Sequence, residues 1–121
     1  MTERIFKRGE IYWVNLEERT QGAETQKNRP VIIISNNKQN QFSGVVIVAL
    51  ITSQVDKIYP FEIAIELENK KGKILTDQIY TIDKRRLGKR LKVLSEKQLK
   101  DLSSALHIIF DLRNCREISV N

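Results

Sequence analysis

Three groups of polar side chains stand where rigid backbone would present them. Arg29 directly precedes Pro30-Val31-Ile32-Ile33-Ile34-Ser35, a run rich in β-branched residues. Thr52 and Ser53, with Gln54 next, directly follow Val45-Val46-Ile47-Val48-Ala49-Leu50-Ile51, the longest apolar run of the chain. Asp77, Gln78 and Thr81 lie in a further extended segment. Arginine offers a planar fork of five donors that matches phosphate and keeps its charge at any working pH. Hydroxyl and amide groups beside it add further donors. The pattern suits an anion site. The competing reading is strand punctuation, with Arg29 as a surface charge and Thr52 as a residue that favours strands.

The overall charge agrees with an anionic partner. Twenty-one Lys and Arg against fifteen Asp and Glu give a net charge of +6 and a pI near 9.6. A small basic domain attracts polyanions, nucleic acid first among them. The stretch Lys84-Arg85-Arg86-Leu87-Gly88-Lys89-Arg90-Leu91-Lys92 holds six basic side chains and no acid, as much charge as the chain carries net. It reads either as a phosphate-attracting patch or as a sheet edge kept soluble by charge.

Composition excludes several chemistries. One Cys and one His rule out an internal disulfide, a Cys-cluster zinc site and a histidine-pair nuclease within one chain. No P-loop, nucleophile elbow or His-Glu-x-x-His motif occurs. No metal or cofactor is expected. The polar first ten residues lack the apolar core of a signal peptide, and no apolar run approaches the roughly 20 residues of a membrane helix. A cytoplasmic protein without membrane contact is expected.

The elements that must hold these groups are mainly strands. Ile11–Leu16, Pro30–Ser35 and Val45–Ile51 read as strands, the last covered on both faces. Phe61–Leu67 alternates with the period of a half-buried strand, Ile74–Ile82 is extended, and Lys89–Leu94 could add a short strand. Glu17–Asn28 and Asn36–Gly44 read as loops and Lys70–Lys73 as a turn. Ser95 and Gln98 form a capping box ahead of one helix, whose Leu99, Leu102, Ala105, Leu106, Ile109 and Phe110 should face the sheet. His107 falls on the flank of that stripe. Short strands followed by one helix predict a mainly β fold: a small barrel with a docked C-terminal helix. The length suits one domain, 1–121, with a core of about 7–112 and a tail over 113–121.

Four stretches in order resemble the MazF/PemK family of toxin endoribonucleases. They are Lys7-Arg8-Gly9-Glu10-Ile11-Tyr12; Gly22-Ala23-Glu24 leading to Asn28-Arg29-Pro30-Val31-Ile32-Ile33-Ile34; Val46-Ile47-Val48-Ala49-Leu50-Ile51-Thr52-Ser53-Gln54; and Asp77-Gln78-Ile79-Tyr80-Thr81-Ile82-Asp83-Lys84-Arg85-Arg86-Leu87. The resemblance implies an SH3-like β-barrel, a homodimer and an acidic antitoxin partner. It also implies metal-independent cleavage of single-stranded RNA, in which the 2′-hydroxyl attacks the adjacent phosphate and leaves 2′,3′-cyclic phosphate and 5′-hydroxyl ends. The family's arginine falls on Arg29, its threonine on Thr52, its loop glutamate on Glu24 and its glutamine on Gln78. Ser53, Gln54, Asp77, Arg85 and Arg86 complete the expected RNA contacts. Gln26-Lys27-Asn28 departs from the family's glycine-rich approach to the arginine. Two other classes compete: a non-enzymatic topoisomerase poison resembling CcdB, and an RNA-binding barrel without turnover. The first needs Trp and Gly near the C-terminus, where this chain has Arg116-Glu117-Ile118-Ser119-Val120-Asn121.

Overall fold

The computed structural model describes residues 4–15 and 28–112. Within them run β1 (Glu10–Asn15), β2 (Asn28–Ile33), α1 (Asn37–Phe42), β3 (Val45–Thr52), β4 (Ile63–Leu67), β5 (Lys70–Asp83), a 3-10 turn (Lys84–Arg86), β6 (Leu87–Val93) and α2 (Glu96–Phe110). The strands form one antiparallel sheet in the order β4-β5-β3-β2-β1-β6. The sheet curls into a half-barrel. Its two edges approach closely enough for Lys92 Nζ on β6 to donate to the Glu66 carbonyl on β4 at 2.9 Å.

The continuous apolar reading of β3 follows from burial on both faces. Val46, Val48 and Leu50 join one core cluster, with Val31 and Ile33 of β2, Tyr12 and Val14 of β1, Phe6, Ile82 and Leu87. Ala49 and Ile51 point the other way, with Ile11, Ile32, Ile63, Ile65 and Ile74, and Leu102 and Ala105 of α2 close that face. Period-2 alternation thus places every second residue in a different core. Emptying one position, as in Ile32→Ala, removes transfer free energy and leaves a cavity, about 2–5 kcal/mol in total.

The end of the barrel capped by α2 is fixed by a close approach. Gly9 has φ +94°, and a Cβ there would lie 2.7 Å from Leu99 Cδ2. The Glu10 carboxylate that follows is buried and fully used. It accepts from the Lys7 amide (2.9 Å), the Tyr12 hydroxyl (2.8 Å) and Arg90 Nη1 (3.1 Å). Burial and the bond to Glu10 push the Tyr12 hydroxyl up to about 12. The capping box of α2 forms as expected, with Ser95 and Gln98 exchanging bonds.

Four expectations need correction. Asn36–Gly44 holds a helix, α1, which Asn36 starts by accepting from the Gln39 amide; its anchor is the buried polar Asn40, so no apolar period marks it. The turn between β4 and β5 falls on Glu68 and Asn69, both at positive φ, and not on Lys70–Lys73. A two-residue turn of that kind matches strand twist, and Asn tolerates it. Ile74–Ile82 extends to a strand of fourteen residues. Phe110 is half-exposed, because α2 ends there and Asp111 turns left-handed.

Candidate active site

The strand register brings the two leading candidates together. Val31 pairs with Leu50 across β2 and β3, and continuing that register places Arg29 opposite Thr52. Their neighbours complete a row across the sheet, since Arg29 pairs with Val14 on β1 and Thr52 with Lys73 on β5. Residues opposite each other in an antiparallel pair share a face. The side chains of Arg29 and Thr52 therefore leave the sheet on the same side as Val31 and Leu50.

Both residues border a cleft of about 780 Å³. Its lining also takes in Ser53, Gln54, Asn28, Lys70, Lys71 and Glu68 as polar groups, with Trp13, Pro30, Ile51, Leu67 and Leu91 as apolar ones. By strand alternation Pro30 and Ile51 form the floor, and Arg29 and Thr52 stand at the rim. Arg29 is exposed, and its side chain has no hydrogen-bond partner among the described residues. Thr52 Oγ1 accepts from the Gln54 amide at 3.1 Å. That bond occupies a lone pair and leaves the hydroxyl proton to donate elsewhere. Gly72 closes the far wall, where a Cβ would lie 3.0 Å from the Thr52 carbonyl.

The remaining candidates are placed differently. Asp77 and Gln78 are exposed but lie outside the cleft lining. The β3–β5 register passes from Ala49–Ile79 to Leu50–Leu75, so Thr76, Asp77 and Gln78 are looped out of the ladder. Glu24 lies outside the described residues.

Arg85 and Arg86 also stand off the lining, and both have local work. Arg85 is clasped by Asp83 through Nε (3.0 Å) and Nη2 (2.9 Å), and its hydrogen bonds hold the Asp83 carboxyl down at about 2. Arg86 Nη2 donates to the Asn15 carbonyl at 2.6 Å, behind the Asn15–Asn28 pair at the cleft mouth. With Arg90 on Glu10 and Lys92 on Glu66, four of the six cations in the basic run are tied down within the fold.

Sequence reasoning missed Trp13, Asn28, Glu68, Lys70 and Lys71 as cleft residues. Asn28 and Lys70-Lys71 flank segments already singled out, and adjacency in the sheet was the missing signal. Glu68 is the one carboxylate of the lining among the described residues.

A curled antiparallel half-barrel, closed by a helix at one end and presenting arginine, hydroxyl, amide and lysine donors at the other, defines a small barrel with a donor-rich cleft. A family model described as the PemK-like, MazF-like toxin of type II toxin–antitoxin systems matches residues 7–110. The chain belongs to that family. It is 38% identical over 117 residues to an endoribonuclease MazF of Staphylococcus saprophyticus, covering 93% of this chain and 97% of the relative. It superposes on a mycobacterial endoribonuclease solved with its cognate antitoxin, with a TM-score of 0.72 at 23% identity and coverage of 92% and 98% of the two chains. A MazE–MazF structure from Deinococcus radiodurans gives a TM-score of 0.74 at 23% identity, covering 91% of this chain and all of that one. At such identities the structures attest the fold. Among the described residues no helix is long and apolar enough to cross a membrane.

Proposed function

We propose that this chain is the toxin of a toxin–antitoxin pair, an endoribonuclease of the cytoplasm that cleaves single-stranded RNA with Arg29 and Thr52 at its reacting phosphate. The observation that carries the reading is their juxtaposition on adjacent strand ends at a polar cleft. In the reaction O2′ of one nucleotide attacks the neighbouring phosphorus and the bond to O5′ breaks. A 2′,3′-cyclic phosphate and a 5′-hydroxyl result. Negative charge grows on the non-bridging oxygens on the way. A guanidinium and a hydroxyl donor beside the phosphate would stabilise that charge. Arg29 is assigned the charge-stabilising role, because its planar fork of donors matches phosphate oxygens.

Two carboxylates compete to accept the 2′-hydroxyl proton: Glu24, which the family resemblance suggests, and Glu68 at the cleft. The pH–rate profiles of Glu24→Gln and Glu68→Gln separate them, since only the true acceptor's loss removes the acidic limb. Ser53, Gln54, Asn28, Lys70 and Lys71 would grip nucleotides beside the scissile bond. Asp77, Gln78, Arg85 and Arg86 would act from outside the cleft, the arginines through long-range attraction. The partner antitoxin would be an acidic segment competing with RNA for this basic surface, and the working unit a homodimer.

Incubating the pure protein with a long RNA in EDTA tests the reading. Discrete fragments with 5′-hydroxyl ends are expected. Shifted but intact RNA would indicate binding without turnover, and inhibited supercoiling with intact RNA would indicate a topoisomerase poison.

A further inference from the structure

One charged pair in the described residues is buried on both sides, and it lies beside Thr52. Lys73 Nζ and Glu62 Oε1 are 2.8 Å apart, with side chains only 10% and 6% exposed. Lys73 is the cross-strand partner of Thr52, on the same face of the sheet. Its ammonium also donates to the Lys57 carbonyl at 2.6 Å and lies 5.8 Å from the centre of the Tyr59 ring. The same Glu62 oxygen accepts from the Tyr59 amide at 2.9 Å, and the Glu62 amide donates to the Tyr59 carbonyl at 2.8 Å. Tyr59 in turn stacks on Phe61, with ring planes 3° apart, and the Thr76 hydroxyl donates to the Phe61 carbonyl.

The pair thus fastens one segment, Lys57 to Glu62, to the strand that borders Thr52. That segment belongs to the β3–β4 connection, which begins with the cleft residues Ser53 and Gln54. A buried ion pair is a poor way to gain stability. Desolvating both charges offsets most of their attraction, and apolar residues of similar size generally do as well. What charges do better is fix geometry, here by gathering a carbonyl, an amide and a ring around two points. We infer that Lys73 and Glu62 are positioning residues for the substrate: they hold the β3–β4 connection so that Ser53 and Gln54 meet the RNA beside Thr52. The inference rests on the nuclease reading above.

The test is steady-state cleavage of an oligonucleotide by the wild-type protein, Lys73→Met, Lys73→Arg and Glu62→Gln, with the cleavage sites mapped on a long RNA. Lys73→Met should raise KM about tenfold and loosen the choice of cleavage site while kcat stays within about twofold, because the reacting groups remain in place. Lys73→Arg, which keeps the cation, should recover most of the loss. Glu62→Gln, nearly isosteric, should raise KM in the same direction and covers the case in which Lys73→Met fails to fold. Wild-type KM and site choice in folded variants would overturn the inference. So would a loss confined to kcat or to the active fraction, which is the mark of a merely structural role. Cleavage by the wild-type protein in the same assay separates these failures from failure of the nuclease reading. An RNA left intact by the wild-type chain overturns both.

Discussion

The rim of the cleft and the basic run Lys84–Lys92 differ in what their charges are doing. At the rim, Arg29 is exposed and unengaged among the described residues, and Thr52 Oγ1 accepts one bond and keeps its proton to donate. In the basic run, Arg85 is held by Asp83, Arg86 by the Asn15 carbonyl, Arg90 by Glu10 and Lys92 by the Glu66 carbonyl. Both regions look like phosphate binders in the sequence. The fold spends most of the second on its own architecture, closing the barrel edge and neutralising a buried carboxylate. A dense run of cations is therefore weaker testimony than one exposed arginine at a strand end with no hydrogen-bond partner among the described residues.

The sharpest way to break this contrast is to remove the rim. Arg29→Ala and Thr52→Ala should each lower the cleavage rate roughly 100- to 1,000-fold, the usual loss of about 2.7–4 kcal/mol for one preorganised donor to a developing oxyanion. Circular dichroism and thermal unfolding should be unchanged, because both residues lie at strand ends outside the core. Crowding the rim from behind should cost less. A Cβ at Gly72 meets the Thr52 carbonyl at 3.0 Å, so Gly72→Ala should displace Thr52 by a few tenths of an ångström and slow cleavage about tenfold.

Removing the run should do less again, and unevenly. Arg86→Ala removes its bond to the Asn15 carbonyl near the cleft and should weaken binding of uncleavable 2′-deoxy RNA about threefold, roughly the effect of one net hydrogen bond at its weaker end. Arg85, 89% exposed and already paired, should change affinity by less than about twofold at physiological salt. Titrations at three salt concentrations check both, since each lost phosphate contact on a single strand flattens the salt slope by about 0.7. A steep fall for Arg85→Ala would restore the run to the substrate site.

The smallest effect at neutral pH is expected where Arg90 and Tyr12 share Glu10. The Tyr12 hydroxyl sits at about 12 in the folded chain against an ordinary value of 10.0. Its protonated form is the one the fold favours. That contribution is present below about pH 10 and is lost as the pH rises towards 12. Wild-type unfolding midpoints should drop between about pH 9 and about pH 11 more than those of Tyr12→Phe.

Much of this was legible in the sequence because local signals and packing agree. β3 reads as doubly covered and is; the Ser95–Gln98 box starts α2; Arg29 and Thr52 stand out as strand-end residues. What escaped depends on contacts between distant residues. α1 turns on the buried Asn40 and its bonds to Ser35, which no hydrophobic period encodes. Gly72 looks like a turn glycine, but its role is closeness to Thr52, and the turn belongs to Glu68 and Asn69. Lys73 reads as one more cation of a turn and is buried against Glu62. The occupied state of Arg86 and Arg90 is set by β1, some seventy to eighty positions away in the chain.

If Arg29 and Thr52 stabilise the reacting phosphate, their loss must slow the chemical step more than it weakens binding. Single-turnover cleavage of a short RNA at saturating enzyme, run beside binding of its 2′-deoxy analogue, tests it most directly. Folded Arg29→Ala should bind the analogue within about tenfold of wild type yet cleave roughly 100- to 1,000-fold more slowly. Near-wild-type cleavage by that variant would contradict it.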